Sequence, residues 1–162
     1  WPNAEQVDLA RRAAAVLQAR RAEALKNLEP WCRRVVRLQV CLADVWHDHA
    51  LFSGDELTGL VDFGGVRWDH SAVDVGRLLG SLVGNDAQAW SVGLAAYTDA
   101  GALARSDLPL PRLLHHTGQL AALATWLRLL VLERRDLAAP DAAWNHFADL
   151  VRQLAAGPIA LP

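Results

Sequence analysis

Apolar residues recur at helical spacing through most of this chain, but between residues 35 and 61 the period shortens to that of β-structure. Val35, Val36, Leu38, Val40 and Leu42 form a β-rich run, which a polar cluster from Asp44 to His49 interrupts. A second run at residues 50–52 meets Ser53, Gly54, Asp55 and Glu56 and returns through residues 57–61. That pattern predicts a tight hairpin. With Gly54 and Asp55 as its central turn residues, regular pairing sets Asp62 opposite His47, beside the loop that begins at Asp44. Asp62, Phe63, Gly64 and Gly65 follow, and the paired glycines predict a sharp change of direction.

Helices are predicted on both sides. Residues 3–28 carry Val7, Ala10, Ala14, Leu17, Ala24 and Leu28 on one face and arginines on the other. Asn3 with Gln6 reads as a capping box, and Pro30 as the stop. Ser71 is the expected cap of a helix to about Val83, with Val75, Leu78, Leu79 and Leu82 inward. Gly84, Asn85 and Asp86 begin another helix through Tyr97. Pro109 to Pro111 introduce a long apolar helix ending near Arg135, and Ala139, Pro140 and Asp141 open the last, to about Ala156. The expected class is α+β and mostly helical, a small hairpin set into a helical body. At 162 residues and 52% hydrophobic content, the chain is expected to form one domain.

Charge is unevenly distributed. Residues 1–40 hold eight Lys or Arg against four Asp or Glu, whereas residues 41–85 hold two against seven. An acidic middle suits a cation site better than a phosphate backbone, so nucleic acid is not an expected partner. The most apolar stretch, residues 120–132, contains Arg128 and is shorter than the ~20 residues of a membrane helix. Cys32 and Cys41 form no CxxC pair or disulfide framework, which points to a reducing, cytoplasmic setting with both as plain core or strand residues. His115 and His116 are neighbours on a helix and point about 100 degrees apart, which rules out one shared metal face. Of the seven tryptophans, Trp90, Trp126 and Trp144 fall on apolar helix faces and read as core; Trp46, for its place in the loop, is the candidate to line a substrate pocket.

The acidic middle holds three stations of chemistry. Leu42, Ala43, Asp44, Val45, Trp46, His47, Asp48, His49, Ala50 and Leu51 come first, then Val61, Asp62 and Phe63, then Asp74, Val75 and Gly76. In types and spacing they resemble the H-G-D-L-x-x-x-N-x-L, I-D-F and D-L-A blocks of the aminoglycoside phosphotransferase and choline kinase-like family. The resemblance implies the C-terminal lobe of a protein-kinase-like fold, with the hairpin carrying the catalytic and metal loops. It implies Asp44 as the residue that orients the substrate hydroxyl and accepts its proton, Asp62 and His49 as metal ligands, and Asp74 as the anchor of the catalytic loop. Phosphoryl transfer suits these types, because it asks the protein mainly for alignment of the nucleophile and neutralisation of phosphate charge.

The implied activity is ATP-dependent transfer of a phosphate to a hydroxyl of a small molecule, with Mg2+ or Mn2+. A catalytically impaired, pseudokinase-type binding module is the alternative. Leu42 and Ala43 stand where the family has histidine and glycine, and His49 where it has asparagine; imidazole suits softer cations than magnesium. Lys26 is the chain's one lysine, and no glycine-rich phosphate loop precedes it. With Trp1 as first residue and no methionine, the expectation is a piece whose N-terminal ATP-binding lobe lies elsewhere.

Overall fold

In a computed structural model, described over residues 3–156, the chain is α+β and mostly helical. In order, the elements are α1 (Ala4–Cys32), β1 (Gln39–Cys41), β2 (Ala50–Ser53), β3 (Glu56–Leu60), β4 (Arg67–Asp69), α2 (Ala72–Val83), α3 (Ala87–Asp99), α4 (Pro109–Leu127) and α5 (Pro140–Ala155). Among the described residues two compact units divide them: α1 joins residues 116–156, and Arg33–His115 forms the other.

In the first unit α1 packs on α5. Ala143, Phe147, Leu150, Val151 and Leu154 lie at three- and four-residue steps on α5 and meet Leu9, Ala13 and Ala24 of α1, with Leu120, Leu123 and Leu130 completing the core. Asn3 and Gln6 make the reciprocal capping pair, each side chain accepting the other's backbone N–H at 2.9 and 2.8 Å. Two expectations for α1 change. Its buried face runs through Leu9 and Ala13, leaving Val7 and Ala14 exposed, because the core selects the stripe that α5 can cover. The helix also continues past Pro30 to Cys32; in a last turn the proline removes one intrahelical hydrogen bond without breaking a full ladder. Cys32 is accordingly exposed at a helix end, and only Cys41 is buried. After Leu127, α4 widens into a π turn, Arg128–Leu132, closed by Glu133 N–H on the Arg128 carbonyl at 2.8 Å.

The second unit holds two antiparallel ribbons, β1 with β4 and β2 with β3. Regular hairpin pairing holds for Ser53 with Glu56 and Phe52 with Leu57, and Gly54 takes the left-handed turn position at φ +63. Thr58 then bulges: Leu51 pairs with Gly59, and the Thr58 hydroxyl donates to the Leu51 carbonyl at 3.1 Å. The one-residue shift overturns the expected placement of Asp62 opposite His47. Val61 N–H now reaches the His49 carbonyl at 3.0 Å, and Asp62 comes beside His49. β4, three residues without usable alternation, has no counterpart among the expected elements; it exists through pairing with β1, as in Val40 with Trp68.

Helix α2 buries Ala72, Val75, Gly76, Leu79 and Gly80, while Leu82 is exposed. A Cβ at Gly76 would strike the Pro111 carbonyl, and one at Gly80 the His115 ring. These two glycines therefore let the start of α4 approach the backbone of α2. Helix α3 begins where expected, and Asp86 caps it, accepting from Gln88 and Ala89 N–H at 2.9 and 3.0 Å. Trp90 is fully buried, and its indole N–H donates to the Gly84 carbonyl at 2.7 Å. The expected Ser71 cap does not form: Ser71 makes no side-chain cap bond, and the His70 ring accepts Ala72 N–H at 3.0 Å instead.

His116, in the first unit, is a buried titratable group whose Nδ1 has no hydrogen-bond partner among the described residues. Burial, and then the charge of Arg20, hold its pKa below the ordinary 6.5 despite Glu23. A histidine depressed in the folded state binds its proton more readily when unfolded, so its contribution is intact above about pH 6.5 and is lost as pH falls through the folded value. Urea melts should therefore show stability falling from about pH 7 to about pH 5, with a shallower slope in His116→Leu. An unchanged slope in that variant would remove His116 as the cause.

Candidate functional site

The loop between β1 and β2 leaves the sheet at Leu42, and its first two amides would be stranded without partners as the chain turns. Asp74, in the first turn of α2, takes both: Leu42 N–H donates to Oδ2 at 2.8 Å and Ala43 N–H to Oδ1 at 2.7 Å. Ala43 occupies the left-handed region at φ +61, a conformation that costs a residue with a Cβ about 1–2 kcal/mol. Gly65 closes the other side. A Cβ there would sit 2.9 Å from the Leu42 carbonyl oxygen and 3.1 Å from the Asp44 Cβ. The expected turn forms at Gly64 and Gly65, closed by Val66 N–H on the Phe63 carbonyl at 3.2 Å; neither glycine has a positive φ, and it is close backbone approach that leaves no room for a side chain at position 65.

Asp44 follows, half-exposed. Its Oδ1 accepts from two donors, the Arg77 guanidinium and the Trp46 indole N–H at 3.0 Å. Arg77 also lies over the Trp46 ring, 4.8 Å from its centroid. Among the described residues no hydrogen bond reaches Asp44 Oδ2. One carboxylate oxygen is clamped and the other stays open to solvent or to a substrate.

Asp74, Arg77 and Ser81 stand three and four residues apart on α2, so they share a face. Ser81 Oγ accepts His47 N–H at 2.9 Å and donates to the Leu78 carbonyl. One polar stripe on an otherwise apolar helix thus grips the loop at backbone, carboxylate and backbone again. Arg77 and Ser81 are not among the residues that the sequence pattern singles out, although their period with Asp74 is a usable signal. His70 is a further addition. Its Nδ1 takes Ala72 N–H, so its Nε2 carries the hydrogen and donates to Asp107 Oδ2 at 3.2 Å. This orients the cap at the start of the helix that bears Asp74.

The remaining candidates meet on the bulge side. His49 Nδ1 lies 2.9 Å from the Asp44 carbonyl oxygen. A carbonyl can only accept, so Nδ1 carries the hydrogen and Nε2 presents its lone pair. That Nε2 is 3.8 Å from Asp62 Oδ2. Asp62 is itself left-handed at φ +62, and its Oδ1 accepts Gly64 N–H at 3.3 Å. The structure thus brings His49 and Asp62 together beside the Asp44 backbone, while His47 and Asp48 are exposed. Among the described residues no group of three His, Cys, Asp or Glu converges as a metal cage. The chemistry of the donor set, one imidazole and one carboxylate, suits a divalent cation that the two would share.

Nucleophilic thiol chemistry has no place beside this loop. Cys41 is buried in β1, and burial, followed by the charge of Asp74, pushes its thiol pKa above the ordinary value. Truncating the anchor exposes how much the loop depends on it. Asp74→Ala leaves two amides without acceptors and should lower stability by on the order of 3 kcal/mol in denaturant melts. A loss below about 1 kcal/mol would mean that water replaces the carboxylate.

No characterised protein and no solved structure matches the chain. Among the described residues no helix is long and apolar enough to cross a membrane. The family APH, described as the phosphotransferase enzyme family, matches residues 1–102, a span containing α1, both ribbons, the Asp44 loop and α2. On that match, and with the loop geometry above, the chain belongs to the phosphotransferase enzyme family.

Proposed function

We propose that this chain is the catalytic and substrate-binding lobe of a protein-kinase-like enzyme that transfers the terminal phosphate of ATP to a hydroxyl of a small molecule. The observation that carries this reading is the state of Asp44: one carboxylate oxygen held by Arg77 and Trp46, the other without a partner among the described residues, on a loop whose backbone Asp74 holds. Membership of the phosphotransferase family supports the reaction class.

The chemistry follows from these positions. Asp44 Oδ2 receives the proton of the substrate hydroxyl as its oxygen attacks the terminal phosphorus of ATP. The bond from that phosphorus to the bridging oxygen breaks, and its electron pair leaves on ADP. Arg77 holds the Asp44 carboxylate aligned before the proton arrives. His49 and Asp62 would hold the divalent cation, Mg2+ or Mn2+, which when bound would neutralise phosphate charge. Trp46, partly exposed beside Asp44, offers an aromatic edge to the substrate.

ATP itself requires a nucleotide-binding lobe as partner, because Lys26 lies on α1 and no phosphate-cradling glycine loop is present in the chain. Side chains of Val40, Phe52, Leu57 and Trp68 on the ribbons are more than half exposed, which supports apolar contact with such a lobe. The test uses the full-length protein and ATP consumption across a panel of small hydroxyl compounds. Asp44→Asn should lower kcat by about a hundredfold or more with the KM for ATP little changed. Unaltered turnover in that variant would sink the assignment.

A further inference from the structure

The spacing of His49 and Asp62 carries more than a generic cation site. His49 Nε2 and a carboxylate oxygen of Asp62 lie 3.8 Å apart. Both partners are held. The His49 ring is anchored through Nδ1 to the Asp44 carbonyl and is about one-fifth exposed. Asp62 is set by its left-handed backbone and by the Thr58 bulge. An imidazole that donates its second ring N–H to a backbone carbonyl has the tautomer and orientation of a metal ligand.

We propose that His49 makes this site selective for Mn2+ over Mg2+. Magnesium is hard, takes oxygen donors and keeps several of its waters. Manganese also favours oxygen donors, but as a softer transition-metal ion it takes an imidazole nitrogen beside them more readily than magnesium does. The Nε2 lone pair is thus the donor that separates the two ions, whereas Asp62 serves either. Since the Nδ1 partner is the carbonyl of Asp44 itself, the cation and the carboxylate that takes the proton share one backbone unit. The inference rests on the phosphotransferase reading only in assigning the remaining ligands to ATP phosphates.

The experiment reads metal binding rather than turnover. Mn2+ is added to the full-length protein, alone and with ATP, and electron spin-echo spectra are recorded for nitrogen coupling from histidine. The expected result is imidazole coupling in the wild type that disappears in His49→Asn. That variant should also lower the ratio of Mn2+ to Mg2+ affinity by about tenfold or more, measured by competition. Asp44→Asn should leave the coupling in place, so a failed phosphotransfer assignment is distinguishable from a failed metal assignment. Bound Mn2+ without nitrogen coupling in the wild type, no Mn2+ binding, or an unchanged affinity ratio in folded His49→Asn would each overturn the proposal. The wild-type spectrum decides the question even if the variant does not fold.

Discussion

Two backbone amides on one carboxylate hold the arrangement together. Leu42 and Ala43 would turn away from the β1 edge with nothing to accept their N–H groups, and Asp74 supplies both acceptors from α2. Partly buried amides without acceptors cost on the order of 1–3 kcal/mol each, so the carboxylate decides where the loop can lie. Everything that follows Ala43 inherits that position. Asp44 reaches Arg77 because Arg77 is one turn beyond Asp74, and His47 reaches Ser81 because Ser81 is one turn further. The helix that does this is itself set by His70, whose ring caps its first turn and is steadied by Asp107.

The same frame explains how an unusual loop is tolerated. Two residues with side chains, Ala43 and Asp62, sit at positive φ, at φ +61 and φ +62. Each such conformation costs about 1–2 kcal/mol and persists only where surrounding contacts outweigh it. Ala43 has Asp74 on one side, with Gly65 packed against its neighbours Leu42 and Asp44; Asp62 has the Thr58 bulge before it and its bond to Gly64 N–H after it. Leu42 cannot make the hydrogen bonds of the histidine found there in the family pattern. In this chain the carboxylate of Asp44 is steadied from outside the loop by Arg77 and from within it by the indole of Trp46.

Much of this is legible in the residues alone. The chain's expected class, the hairpin turn at Gly54, the Asn3–Gln6 box and the starts of α3, α4 and α5 are local, each decided by residues within a few positions of one another. The three blocks at Asp44, Asp62 and Asp74 are legible by type and spacing, as is the family. Less legible are features with distant causes. β4 has no alternation of its own and forms only against β1, while α1 buries the stripe that α5 covers rather than the one its apolar spacing suggests. The cap of α2 passes from Ser71 to His70, because a ring held by Asp107 is better placed than a hydroxyl whose residue is already helical.

The sequence by itself determined which groups are available: a carboxylate at position 44, an imidazole at 49, a carboxylate at 62 and a polar stripe on α2. Tertiary structure decided how they meet. Regular pairing from the turn would have set Asp62 across from His47; the Thr58 bulge shifts the register by one residue, and the Asp62 carboxylate comes to lie 3.8 Å from His49 Nε2. Likewise, only the packing of α2 beneath the loop chooses which oxygen of Asp44 is occupied and which is open. The physical reason is the same in both cases. Residue type and turn chemistry are properties of a few consecutive residues, whereas register and side-chain orientation depend on how amides far apart in sequence find their acceptors.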